Sequence, residues 1–131
     1  MPPVSINVMG IVIAVIVSMI IGGVWYGVFA QQWMKALDKK KSQMNGAASA
    51  YILQAVYAAV MAYVLAHIVD YANASTIMAG MQTGFWIWFG FVATTTAGAN
   101  LWEGKSWDLW LINNGNYVLT LMAMGAILAV Y

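Results

Sequence analysis

Apolar residues run along this chain in long blocks rather than in short alternations. Between Ser5 and Ala30 there is no charged residue. Ala47 to Tyr71 carries only Asp70, near its end, and Thr76 to Asn100 carries none. Trp107 to Tyr131 carries only Asp108, near its start. A helix needs about 20 mostly apolar residues to cross roughly 30 Å of hydrocarbon. Each block meets that length and predicts one transmembrane α-helix, over about 5–30, 47–71, 76–100 and 107–131. Three links join the blocks: Gln31 to Gly46, Ala72 to Ser75 and Leu101 to Ser106. Links this short set successive helices side by side and antiparallel. The fold class read from the pattern is therefore all-α and integral to the membrane. Four antiparallel spans form one compact bundle, with residues 1–131 as a single domain.

Composition strengthens that reading. Of 131 residues, 63% are hydrophobic and 7% charged, with a mean hydropathy of +0.78. A soluble domain carries about 25% charged residues, and a chain this apolar would aggregate in water. The segment Met1 to Asn7 has no lysine or arginine to start a cleavable signal, so the first block reads as a retained span. The sequence contains no cysteine, which removes thiol catalysis, disulfides and iron–sulfur ligation. It contains five lysines and no arginine, too few cations to neutralise a run of nucleic-acid phosphates.

Charge placement gives an orientation. Lys35, Lys39, Lys40 and Lys41 lie in the first link and Lys105 in the third. Cytoplasmic links carry the lysine excess, so both links are expected inside and both termini outside. The run of three lysines falls short of the roughly 4–8 clustered basic residues typical of specific anionic-lipid sites, and reads as a topology signal. Trp25, Tyr26, Trp33 and Lys35 at one lysine link, with Trp102 and Trp107 at the other, are expected as interface anchors. Their rings are apolar at one end and polar at the other.

Inside a bilayer, helices associate by close backbone approach and by hydrogen bonds, not by apolar burial. Gly23 with Gly27, Gly80 with Gly84, and Gly115 supply small residues for close approach, as does the alanine stripe Ala55, Ala58, Ala59, Ala62 and Ala66. At about 100° per residue, Gln82, Trp86, Phe89, Ala93, Thr96 and Asn100 fall on one face of the third span, with Glu103 just beyond it. Asn113, Asn116, Tyr117, Thr120 and Met124 fall on one face of the fourth. An amide in hydrocarbon demands a partner, so Gln82, Thr96, Asn100, Glu103, Asn113, Asn116, Tyr117 and Thr120 are expected to meet as a polar seam. Two uses of such a seam remain open from sequence: mutual hydrogen bonding that fixes helix register, or a lined site for a small polar solute.

Reactive chemistry is scarce. His67 and Asp70 are spaced to touch on one helix face. Two ligands do not make a zinc site, which takes three or four, and this pair reads as a helix-end cap. Glu103 reads as an interfacial acid beside Lys105. Thr94, Thr95 and Thr96 are expected to bond back to their own helix and bend it. Asn73-Ala74-Ser75 has the form of a glycosylation acceptor but lies hard against the membrane. No catalytic set, metal or cofactor is predicted.

Several stretches also carry a likeness. The first span closes in Gly22-Gly23-Val24-Trp25-Tyr26-Gly27-Val28-Phe29 and continues Gln32-Trp33-Met34-Lys35. Asn100-Leu101-Trp102-Glu103-Gly104-Lys105 forms the third link. The last span reads Trp110-Leu111-Ile112-Asn113-Asn114-Gly115-Asn116-Tyr117, then Met124-Gly125-Ala126-Ile127-Leu128-Ala129. This resembles the bacterial and archaeal membrane family known as domain of unknown function 1761, along nearly the whole chain. The resemblance implies four spans in a prokaryotic inner membrane and draws attention to Trp25, Tyr26, Trp33, Lys35, Glu103, Asn113, Gly115 and Tyr117. It implies no activity. Where that family often has a proline after its tryptophan–tyrosine pair, this chain has Gly27 and Val28, and Asn116 interrupts its glycine–tyrosine step. The expectation is a non-enzymatic, self-associating multi-pass protein whose seam binds or passes a small solute, or else an accessory subunit of a larger membrane complex. Its partners would be the lipid bilayer and either copies of itself or other membrane subunits.

Overall fold

A computed structural model describes residues 4–37 and 48–131. The described residues form helices and no strand: α1 (Val8–Val28), α2 (Ala30–Leu37), α3 (Ala48–Tyr71), α4 (Ile77–Ile87), a π-helical segment (Trp88–Ala93), α5 (Thr94–Glu103) and α6 (Trp107–Val130). Three of these, α1, α3 and α6, are long and apolar enough to cross a membrane. The remaining expected span, the third along the chain, is helical from Ile77 to Glu103, but the π segment divides it. Lys39, Lys40 and Lys41 lie outside the described residues.

Local chemistry sets the helix ends. Asn7 accepts the Met9 N–H at 3.0 Å and caps α1, and Thr76 accepts the Ala79 N–H at 3.1 Å and caps α4. Ser106 accepts the Asp108 N–H at 3.2 Å at the start of α6, and Asp108 adds a negative charge where the helix dipole favours one. Gly104, at φ 68°, ends α5 in the left-handed conformation, with its N–H on the Asn100 carbonyl at 3.0 Å. A side chain resists that conformation.

The first link departs from expectation. The chain leaves helical geometry at Phe29 (φ −100°, ψ 21°) and re-enters it at once as α2. Ala30, Trp33, Met34 and Leu37, spaced i, i+3, i+4 and i+7, are half-buried, whereas Gln31, Gln32 and Lys35 stay exposed. The break occurs here without the proline.

Helix α6 is the centre of the molecule and packs on α1, α3 and α4. Its core contacts are small or slender: Ala14 of α1, Ala62, Leu65 and Val69 of α3, and its own Leu121 and Met124. The alanine stripe of α3 contributes Ala58 and Ala62 to the buried surface. The outer faces are mostly apolar, with Ile16, Ile20, Ile52, Val60, Phe91 and Leu111 all exposed. Water would not tolerate that surface; acyl chains do.

Gly80 and Gly84 stand where α4 crosses α6. A Cβ on Gly80 would lie 2.7 Å from the Ala129 Cβ and one on Gly84 2.6 Å from the Leu121 carbonyl carbon. Gly23 and Gly27 behave otherwise. Both are exposed, and a Cβ at either would meet nothing within 4 Å. Of the two glycine pairs, one closes a helix crossing inside the chain and the other faces outward.

Candidate polar site along α6

The polar residues gather on α6 between Trp110 and Thr120, and the centre of the cluster is Asn114, 2% exposed. Its Oδ1 accepts the Trp88 indole N–H at 3.0 Å. Its Nδ2 donates to Thr96 Oγ1 at 3.1 Å and to the Trp110 carbonyl at 3.0 Å. Thr96 completes the set: its hydroxyl donates to the Val92 carbonyl at 2.6 Å and also accepts the Trp110 indole N–H at 3.0 Å. A hydroxyl offers one proton and two lone pairs, and Thr96 uses all three. Two half-buried indoles, whose N–H groups want partners when removed from water, are thereby satisfied. The network ties the π segment, α5 and α6 together.

The threonine run supports the π segment, as its expected back-bonding requires. Thr94 donates to the Gly90 carbonyl at 2.8 Å, Thr95 to that of Phe91, and Thr96 to that of Val92. The segment also corrects the expected polar face of the third span. A π turn takes up an extra residue without extra rotation, so everything beyond it is turned back by about 100° relative to a continuous α-helix. The single face drawn from Gln82 to Asn100 is therefore cut in two. Gln82, Trp86 and Phe89 point outward, the last two 65% and 53% exposed, while Ala93, Thr96 and Asn100 turn toward α6.

A second group of contacts joins α1 to α6. The Trp25 indole N–H donates to the Ile112 carbonyl at 2.8 Å and the Tyr26 hydroxyl to Asn113 Oδ1 at 2.7 Å. Asn116 and Tyr117 lie beside that hydroxyl. The Trp25 ring fits only because residue 115 is glycine; a Cβ there would lie 2.8 Å from Trp25 Cη2. Trp25 and Tyr26, expected as interface anchors, thus also make inward contacts to α6. Trp33 packs on Tyr26 with ring centroids 4.8 Å apart, and Lys35 is exposed. Trp102, 89% exposed, and Trp107, half exposed and edge-on to Trp110, stand at the helix ends, where an anchor would stand.

Beside these contacts a cleft of about 170 Å³ opens between α5 and α6, lined by Thr96, Asn100, Glu103, Lys105, Asn113 and Tyr117 with Ala99, Leu109, Trp110 and Asn114. Glu103 and Lys105 form an exposed ion pair at 3.0 Å, of small energetic value. Asn100, 6% exposed, donates to the Lys105 carbonyl at 3.1 Å. Of the eight residues expected to form the seam, five line this cleft. Asn116 lies beside the Tyr26 hydroxyl instead, Thr120 is further along α6, and Gln82 faces away. The histidine pair does not form as drawn: His67 Nδ1 lies 2.8 Å from the Tyr63 carbonyl, its ring between Tyr63 and Tyr71. Asn114, Trp88 and Trp110 are the members of this hydrogen-bond network that the helical-face reading missed; the four-residue spacing of Trp110 and Asn114 was their visible signal.

Comparison with known proteins adds a family and little else. Residues 9–129 match the family described as a protein of unknown function, DUF1761. No curated protein and no solved structure matches the chain.

Proposed function

Because the chain belongs to the DUF1761 family, whose function is unknown, its role has to be argued from its own geometry, and we propose that it is a non-enzymatic, multi-pass membrane protein that binds a small polar solute in the cleft between α5 and α6. Four antiparallel spans, with Ile77 to Glu103 as the third, suit the contacts around α6. Lysine placement favours cytoplasmic Lys35 and Lys105 and external termini, in a prokaryotic cell membrane.

One observation carries the reading. Asn113, Tyr117, Asn100 and the Glu103–Lys105 pair converge on one open cleft at the lysine-bearing end of the molecule. The network of Asn114 and Thr96 needs no ligand, since its donors and acceptors satisfy one another. The cleft side is different, because donors, acceptors and both charges face an open space. At about 30 Å³ per water, its volume suits a handful of waters or a solute of a few heavy atoms. It is smaller than the roughly 300 Å³ lower bound for drug-sized ligands.

Self-association supplies the wall that one chain lacks. Gln82 presents an exposed carboxamide on α4, and Gly23 and Gly27 an open, close-packing face on α1. Both favour a helix docked from outside. The same surfaces would serve an accessory subunit of a larger complex, and the mass of the purified protein in mild detergent separates the two. The functional test is flux or binding of small polar solutes in proteoliposomes. Wild-type protein is expected to show a saturable signal that Glu103→Gln and Asn113→Leu reduce at least about tenfold, equivalent to about 1.4 kcal/mol. A signal indifferent to both substitutions overturns the reading.

A further inference from the structure

Two oxygens on α6, Asn116 Oδ1 and Thr120 Oγ1, are buried without a hydrogen-bond partner. They lie one turn apart and therefore on one helix face. Thr120 differs from the other threonines inside these helices. Ser18, Thr83, Thr94, Thr95 and Thr96 each donate to a carbonyl of the preceding turn, the usual refuge of a hydroxyl in an apolar setting. Thr120 does not.

The face these atoms occupy can be placed. Gly10 of α1 packs against Leu128 and Tyr131, and Trp25 packs against Gly115 and bonds to Ile112. Those two contacts fix the register of α1 on α6. They set Ser18 level with Thr120 and Gly22 level with Asn116. Ser18 spends its proton on the Val15 carbonyl, which leaves its oxygen able to accept. Gly22 has nothing within 4 Å of where a Cβ would stand. The result is a group of three side-chain oxygens, two of them without a partner, near the middle of the apolar span of α6.

We propose that Asn116 and Thr120, with Ser18, form a binding site between α1 and α6 for one small electropositive species: a water molecule through its hydrogens, or a monovalent cation of water's size. The site is distinct from the α5–α6 cleft and stands whether or not that cleft binds a solute. Asn116 Oδ1 accepts from the bound species, and the Thr120 hydroxyl fixes it one turn further along.

Thermal unfolding in lipid nanodiscs tests this through the sign of a shift. Valine matches threonine in shape, so an unserved Thr120 hydroxyl would make Thr120→Val neutral or stabilising. The proposal requires the opposite: Thr120→Val lowers Tm, Asn116→Leu lowers Tm, and the double variant falls by clearly less than the sum, because both lose the same bound species. Thr120→Ser keeps the hydroxyl and keeps the wild-type Tm, which guards against a simple packing defect. A Tm unchanged or raised in Thr120→Val, or strict additivity in the double variant, overturns the site. Titration with potassium and with ammonium then identifies the occupant. A wild-type Tm that rises with either, and does not in Thr120→Val, assigns a cation; independence from both assigns water.

Discussion

Between Leu121 and Ala129, α6 meets α4 with backbone against backbone, Gly80 and Gly84 on one side and Gly125 on the other. Between Trp110 and Tyr117 it meets its neighbours through indoles, hydroxyls and carboxamides. The two stretches solve one problem, association without a hydrophobic driving force, by opposite means. At the glycine crossing no atom can rotate aside, so the contact is rigid and intolerant. In the polar stretch every contact ends in a side chain that can turn or exchange its partner for water. Such contacts average only about 0.6 kcal/mol in membrane proteins. The adjustable stretch is also the one with an open cleft, which places binding where the structure has slack and leaves the crossing to hold the helices.

Substitutions can break or sharpen that contrast. Gly84→Leu should do the most damage, because its side chain must enter the Leu121 backbone. A loss above about 3 kcal/mol, at the upper end for overpacking, is expected in denaturant titration of the detergent-solubilised protein. Asn114→Leu should cost about 1–3 kcal/mol, the penalty for stranding the half-buried Trp88 and Thr96 groups, with altered tryptophan emission. If it costs more than Gly84→Leu, the ranking of the two stretches is wrong. Gly115→Ala should cost about 1–2 kcal/mol, since the indole it displaces can shift; most of that loss should vanish in a Trp25→Phe background, as a double-mutant cycle would show. Gly27→Ala, with open space around it in the single chain, should be neutral for the fold of the dissociated chain or gain up to about 0.5–1 kcal/mol from helix propensity. Four glycine or amide sites would thus span a range from severe loss to slight gain.

Much of the helical pattern was legible from apolar block length. The expected spans 47–71 and 107–131 lie within a residue or so of α3 and α6, and Gly80 with Gly84 marked a real crossing. Helix α2 was missed because block length ignores short segments. Its i, i+3, i+4, i+7 spacing at Ala30, Trp33, Met34 and Leu37 was present all along. Asn114 was missed for a geometric reason. Assigning α6 a single polar face through Asn113, Asn116 and Thr120 suits a helix with one buried side. A central helix with neighbours on three sides has several inward faces, and Asn114 sits about 100° from Asn113. The match between the Trp25 ring and Gly115 could not be read from sequence, since it depends on which spans touch.

The π segment bears on how the chain tolerates changes in length. Gly84 and Thr96, twelve residues apart, would sit about 120° from each other on a regular α-helix, yet both reach α6. Trp88–Ala93 behaves as a helix carrying one surplus residue. A one-residue deletion there, at Gly90 for example, would let the helix close into regular geometry with both contacts kept. A second deletion would swing Thr96 and Asn100 off α6, so the chain has room to lose one residue at this point and none to lose two.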